Sequence, residues 1–181
     1  MTINYKIDEK DFLIYQLYIA SKSHRIKRKR QRSKIMIPLL YLGLGLLLLF
    51  QNKTLLAIIF FIVGFLWFFI YPLWERQRYI KHYQSFIKEN YQDRLSKTIT
   101  LELHNDFILT KENGNESKVL TTEIEEICEI PTIILLRLKG GHSFILPKEQ
   151  MSNLDSVRTR LRELAIHLNI NYETDEKWKW K

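Results

Sequence analysis

The sequence predicts a membrane α-helical hairpin joined to an α+β soluble domain of antiparallel strands closed by one amphipathic helix. Three observations carry this expectation. Residues 35–50 and 54–74 hold no Asp, Glu, Lys, Arg or His, and only Gln51, Asn52 and Lys53 separate them. From residue 96 apolar and polar residues alternate with the period of two that marks half-buried strands. From Leu154 to Leu168 the apolar residues return every three or four positions, as on one face of a helix.

At the start of the chain Ile3, Tyr5 and Ile7 alternate with polar residues, giving a strand over residues 2–7. One short strand needs a sheet, and the only other strand-rich region begins beyond residue 95, so the two are expected to pair. Phe12 and Tyr15, with Leu13 and Leu17, recur at helical spacing behind Asp8, Glu9 and Asp11, acids that suit a helix N-terminus. This helix is expected to run on into the basic stretch 24–34.

That stretch locates the charge. The chain carries a net charge of +8, of which residues 1–34 supply ten Lys and Arg against three acids, while residues 96–181 hold twelve against fourteen. The basicity therefore belongs to the flank of the first apolar run and not to the distal domain. No aromatic residues interleave it and a span follows directly, so no nucleic acid is expected as a partner. Arg25, Lys27, Arg28, Lys29, Arg30, Arg32 and Lys34 are read instead as contacts to the anionic headgroups of membrane lipids. Arg76, Arg78 and Lys81 follow the second run, and the turn between the runs has only Lys53. The positive-inside rule then puts both ends of the chain in the cytoplasm.

The second run has 21 residues, which at ~1.5 Å each match a hydrocarbon core of roughly 30 Å. The first has 16, so it is expected to borrow length from Lys34 and from the polar turn, or to thin the bilayer. A soluble core is a poor alternative, because Phe60, Phe61, Phe65, Trp67, Phe68 and Phe69 lie on every face of one helix and a chain of 181 residues cannot bury them all. No cleavable signal peptide is expected, since the first apolar stretch starts behind a long charged segment. Past the membrane, Tyr79, Tyr83, Phe86 or Ile87, and Tyr91 continue at helical spacing, with Arg76, Arg78, Lys81, Lys88 and Arg94 around the wheel. A helical stalk over 75–95 is expected, kinked at Pro72 where it leaves the lipid, with Tyr71 and Trp74 in the aromatic belt.

The distal region reads as five or six strands. His104, Asn105 and Asp106 turn the chain once, and residues 113–115 turn it again. Ile124, Ile127 and Ile130 are three apart, which suits a single helical turn before a strand. Gly140 and Gly141 predict a two-residue hairpin, and Pro147 ends the strand after it. Ser152 with Asp155 makes a helix start, followed by Leu154, Val157, Leu161, Leu164 or Ala165, and Leu168 on one stripe. The organisation expected is an N-terminal strand, helix and basic segment (1–34), a two-helix hairpin (35–50 and 54–74), the stalk (75–95), a cytoplasmic domain (96–170) and a tail (171–181).

An Ile3-x-Tyr5 strand, an Asp11-Phe12 helix start, a basic run, two spans, a Leu146-Pro147-Lys148 strand end and a Ser152-led final helix together resemble the YcxB-like family of small bacterial two-pass membrane proteins. The likeness extends over nearly the whole chain, with Ile124 standing where relatives often place Trp. It implies residence in the bacterial inner membrane and a cytoplasmic domain of the pleckstrin-homology-like kind, a bent β-barrel plugged by a C-terminal helix. It implies no activity and no catalytic residues.

The residues themselves nominate no reaction. The spans hold no carboxylate or histidine with which to move a proton. Gly43 and Gly45 are not spaced as a small-xxx-small motif and are read as ordinary packing, as is Gly64. His24, His82, His104, His142 and His167 are scattered without metal-ligand spacing, Cys128 is the single cysteine, and no base can be nominated for Ser143. Glu123, Glu125, Glu126 and Glu129 are read as a solvated edge. Trp178 and Trp180, between lysines, are nominated as exposed rings at the headgroup level, with a disordered tail or a strand-edge addition as the alternatives for this segment. No catalytic residue, cofactor or metal is expected. The function expected is a binding or assembly module on the cytoplasmic face that takes a lipid or a protein partner. The alternative is an accessory subunit docking through the aromatic-rich second span.

Overall fold

The computed structural model describes residues 1–92, 95, 97–112 and 114–181. Arg94 of the expected stalk, Ser96 at the expected start of the distal domain and Asn113 of the second turn lie outside the described residues. The chain forms two compact units, residues 1–15 with 86–179, and residues 16–85 with 180–181.

The first unit is a pair of four-stranded sheets with a helix. The expected N-terminal strand is β1 (Thr2–Lys6), which pairs antiparallel with β2 (Thr98–Leu103), so that Ile3 faces Leu101 and Tyr5 faces Ile99. β3 (Phe107–Glu112) and β4 (Asn115–Leu120) complete a sheet of order β1-β2-β3-β4. β5 (Ile124–Glu129), β6 (Ile133–Leu138) and β7 (Ser143–Pro147) form the second sheet, joined by β8 (Asn171–Thr174) to give the order β7-β6-β5-β8. β8 runs parallel to β5, and its residues are the first part of what the sequence predicts as a tail. Tyr172 is the one apolar residue of β8, which is too little for a period to register.

Two local corrections have clear causes. The three-residue spacing of Ile124 and Ile127 comes from a β-bulge between Ile124 and Glu126, and the helical turn precedes it as a 3-10 turn at Thr121–Glu123. The extra residue lets both isoleucines face the core. At the Gly140-Gly141 hairpin, the Leu138 N–H donates to the His142 carbonyl at 2.8 Å, so three residues and not two close the loop. Only Gly141 takes the left-handed conformation, at φ +82°, as a bulged three-residue hairpin requires.

The core gathers Ile3 and Tyr5, Leu101 and Leu103, Ile108, Ile127, Ile134, Leu136 and Leu146 from the strands. Val157, Leu161, Leu164 and Ala165 cover them from α4 (Leu154–Leu168), on the stripe that its spacing predicts. Its N-cap is Asn153 rather than Ser152: the Asn153 side chain accepts from the Ser156 N–H at 3.1 Å, and Asn169 closes the helix in the left-handed region.

The second unit is helical, and the first turns of its first helix and the last turns of its third belong to the first unit. α1 (Glu9–Lys22) does not run into the basic stretch. Ser23 breaks it with an extended ψ of 117° and caps α2 (His24–Phe50), accepting from the Ile26 N–H. α2 therefore carries the basic residues and the first apolar run on one continuous helix, through Pro38. At its end Asn52 takes φ 60°, the Asn52 N–H donates to Leu49 and the Lys53 N–H to Leu48 at 2.9 Å, a Schellman closure built on asparagine. α3 (Thr54–Tyr91) then runs for 38 residues, roughly 57 Å, through Pro72.

The two helices pack where side chains are smallest. A Cβ added at Gly45 would meet the Phe61 ring at 2.5 Å, and one at Gly64 would meet Tyr41 Cβ at 3.2 Å, whereas nothing lies within 4 Å of a Cβ at Gly43. Gly45→Leu is expected to cost the hairpin about 1–3 kcal/mol by overpacking. Gly43→Leu should be silent, and the midpoint of heat-induced helix loss in mild detergent distinguishes the two. Away from that seam the helices present large apolar side chains outward: Phe50 is 86% exposed and Leu55 75%. Both helices are long and apolar enough to cross a membrane, and little of either apolar window is buried within the chain.

Candidate functional site

A cavity of about 230 Å³ opens in the first unit at one end of the strand core. Strand register builds it. Tyr5 of β1 lies beside Ile99 of β2, which lies beside Glu112 of β3, so the three stand in one row on one face of the sheet. Along β3 that face reads Ile108, Thr110, Glu112, passing from apolar to charged toward the cavity. Phe144 of β7 closes one wall, and Phe12 of the first turn of α1 and Tyr91 at the end of α3 close another, their ring centroids 4.4 Å apart.

The electrostatics of this cavity are one-signed. Among the described residues Glu112 is the single charged one in its lining, and no cation pairs with it. Burial, reinforced by the nearby Glu112 carboxylate, raises the Tyr5 hydroxyl pKa well above its usual value and keeps the phenol protonated. The Ser143 hydroxyl is buried with no hydrogen-bond partner among the described residues. Beside Phe12, Asp8 and Asp11 cap α1 reciprocally: the Asp11 N–H donates to Asp8 Oδ1 at 2.7 Å and the Asp8 N–H to Asp11 Oδ2 at 3.3 Å. Burial pushes the Asp11 carboxyl up to about 6, with the Asp8 and Glu149 charges adding to it against the backbone hydrogen bond.

The acidic run of β5 is not one solvated edge. Glu123 and Glu125 are exposed, but Glu129 is only 1% exposed. Its carboxylate accepts from Arg158 Nη2 at 2.7 Å, from Lys148 Nζ at 2.6 Å and from the Tyr172 hydroxyl at 2.7 Å. On the other face of the strand, Glu126, Cys128 and Glu173 bring three potential metal-ligating atoms within 4.8 Å of one another. Glu126 is already engaged, taking Arg137 Nη1 at 3.1 Å and the Cys128 thiol at 3.3 Å through one oxygen.

In the second unit the residues assigned to membrane contact divide. Arg25, Lys27, Arg28, Lys29, Arg32 and Lys34 are exposed on α2, and Arg25, Arg28, Lys29 and Arg32 share one face with His24 and Ser33, lining an open groove. Arg30 faces elsewhere. Its Nε donates to Glu75 Oε2 at 2.8 Å, and its guanidinium lies 4.8 Å from the centre of the Trp180 ring. The Tyr71 hydroxyl donates to the other Glu75 oxygen at 2.8 Å, and Glu75 is 5% exposed. Trp180 is 7% exposed and meets Tyr79 edge-on at 5.5 Å, so it is not a free ring at the end of a tail; Trp178 is half-buried in the first unit. The sequence reading missed Glu75, Glu129 and the whole cavity. The signal for the last was present in β3, where Thr110 and Glu112 occupy core-facing positions of an alternating strand. Compared with family models, with curated proteins and with solved structures, the chain has no significant match to any of them.

Proposed function

We propose that the protein is a two-pass inner-membrane protein that presents its α+β unit to the cytoplasm as a non-catalytic binding or assembly module. The observation that carries this reading is the pairing of β1 with β2, because the whole of α2 and α3 lies between those two strands in the chain. Strands that share a sheet lie on the same side of a bilayer, so the segment between them crosses it an even number of times. Two helices with outward-facing Phe50, Leu55, Phe65 and Phe69 fit two crossings. The exposed cations of α2 favour the cytoplasmic side for both flanks and contact with anionic headgroups there.

Two sheets whose core is covered by a C-terminal helix support the pleckstrin-homology-like reading, and with it the likeness to the YcxB-like family. The exposed, edge-on pair Phe65 and Phe69 on α3, 5.4 Å apart, favours a second reading, an accessory subunit docked through that span.

A tag at residue 181, probed with protease in inverted and right-side-out vesicles and followed by crosslinking, tests both. The expected result is cleavage of the tag in inverted vesicles only. One stoichiometric neighbour crosslinked through α3 would favour the accessory role. Cleavage from the outer face would overturn the orientation and everything built on it.

A further inference from the structure

We propose that the cavity of the α+β unit is a site for a small organic cation, an ammonium group carried on a short apolar body. The proposal rests on the reading of this unit as a binding module, but not on its membrane orientation. Four aromatic residues, Tyr5, Phe12, Tyr91 and Phe144, line a space that would hold roughly eight waters. Aromatic faces attract cations through the ring quadrupole, and sites for quaternary ammonium ions are commonly built from several such rings.

The charge sets the sign of the ligand. Among the described residues, no cation pairs with Glu112 and no Lys or Arg lines the wall. Any ligand that fills the space removes water from that carboxylate. An anion adds repulsion and a neutral molecule leaves the charge desolvated without a partner, whereas a cation offsets the loss by pairing with it. Thr110 and Ser143 add hydroxyls to the polar side of the wall, Ser143 with its hydrogen-bonding capacity unused, and Ile7, Ile99 and Ile145 supply apolar contact for the body of the molecule. The tyrosine phenol, held protonated beside Glu112, contributes no competing negative charge.

The test uses the full-length protein in an uncharged detergent and calorimetric titration with phenethylammonium and tetramethylammonium. Phenylacetate and benzyl alcohol serve as matched anionic and neutral probes. The cations are expected to bind saturably and at least tenfold more tightly than either control. Glu112→Gln, which keeps the shape and removes the charge, should weaken them at least tenfold, and Tyr91→Leu should weaken tetramethylammonium more than benzyl alcohol. Equal affinity for the three classes of probe, or unchanged cation affinity in Glu112→Gln, overturns the proposal. Should Glu112→Gln fail to fold, the Tyr91→Leu comparison and the probe series decide it alone. Repeating the titration in phosphatidylglycerol bilayers with and without phosphatidylethanolamine identifies the source. Competition by the aminated lipid marks a headgroup, and its absence marks a free amine. The vesicle experiment above is indifferent to these ligands, so failure of one reading is distinguishable from failure of the other.

Discussion

Replacing Glu129 by alanine is expected to destabilise the α+β unit by about 3–5 kcal/mol, the range for removing one partner from a buried ion pair. The cost arises from what remains. Arg158 and Lys148 would be left facing each other around a void, with Lys148 only 9% exposed along its side chain and Tyr172 without its acceptor. The contrast is Arg137, whose pairs with Glu125 and Glu126 are partly exposed and whose replacement should cost no more than about 1 kcal/mol. In the full chain in mild detergent, Glu129→Ala should lower the thermal midpoint by on the order of 10 °C. A change within about 2 °C would mean that the network is not as buried as its geometry implies.

The same carboxylate gives the unit an acid limit. Burial pushes the Glu129 pKa up, but hydrogen bonds from Arg158, Lys148 and Tyr172 outweigh burial and hold it at about 2, below its ordinary 4.5. The unfolded chain therefore takes up this proton before the folded one does. The stabilisation is fully present above pH ~4.5 and is lost as the pH falls toward ~2, and over that interval it amounts to about 3 kcal/mol. A plot of midpoint against pH should fall steeply across that window in the native protein and much less in Glu129→Gln. Because the pair is buried, salt should alter this little.

What could be read from the residues depended on whether a signal is local. Two apolar runs without a charge declare themselves by composition, as does a stripe at Val157, Leu161, Leu164 and Ala165. The pairing of residues 2–7 was legible by necessity, since a lone amphipathic strand has nowhere else to go. Glu129 was not legible, because its neighbours in sequence are three exposed or half-exposed glutamates and its partners come from the segment after β7, from α4 and from β8. The bulge after Ile124 imitates helical spacing, and only the pairing with β6 tells the two apart. The cavity draws its wall from residues 5–12 and from residues 91–145, so no short window of the chain contains it. Trp180 reads as free from its setting between lysines, and Arg30, 150 positions earlier in the chain, decides otherwise.

Removal of residues 1–7 is expected to be the most damaging change of all. Ile3 and Tyr5 are buried in the core, paired with Leu101 and Ile99. Loss of one such side chain typically costs about 2–5 kcal/mol. The deletion takes both, together with five register pairs of β1 with β2, and leaves the edge of β2 open beside the cavity that Tyr5 lines. The total rivals the whole stability of an ordinary domain, about 5–15 kcal/mol. The deleted protein should therefore lose its cooperative thermal transition, while the α2–α3 hairpin, which uses none of these residues, keeps its helicity in detergent. Ile3→Ala should give a midpoint between the native protein and the deletion. Asn4→Ala, on the exposed face where the Asn4 side chain accepts a hydrogen bond from Thr100, should be nearly silent. An unchanged midpoint in the deletion would show that β1 is dispensable to the sheet. An even number of membrane crossings would then no longer be required, because that number follows from β1 and β2 forming one sheet on one side of the bilayer.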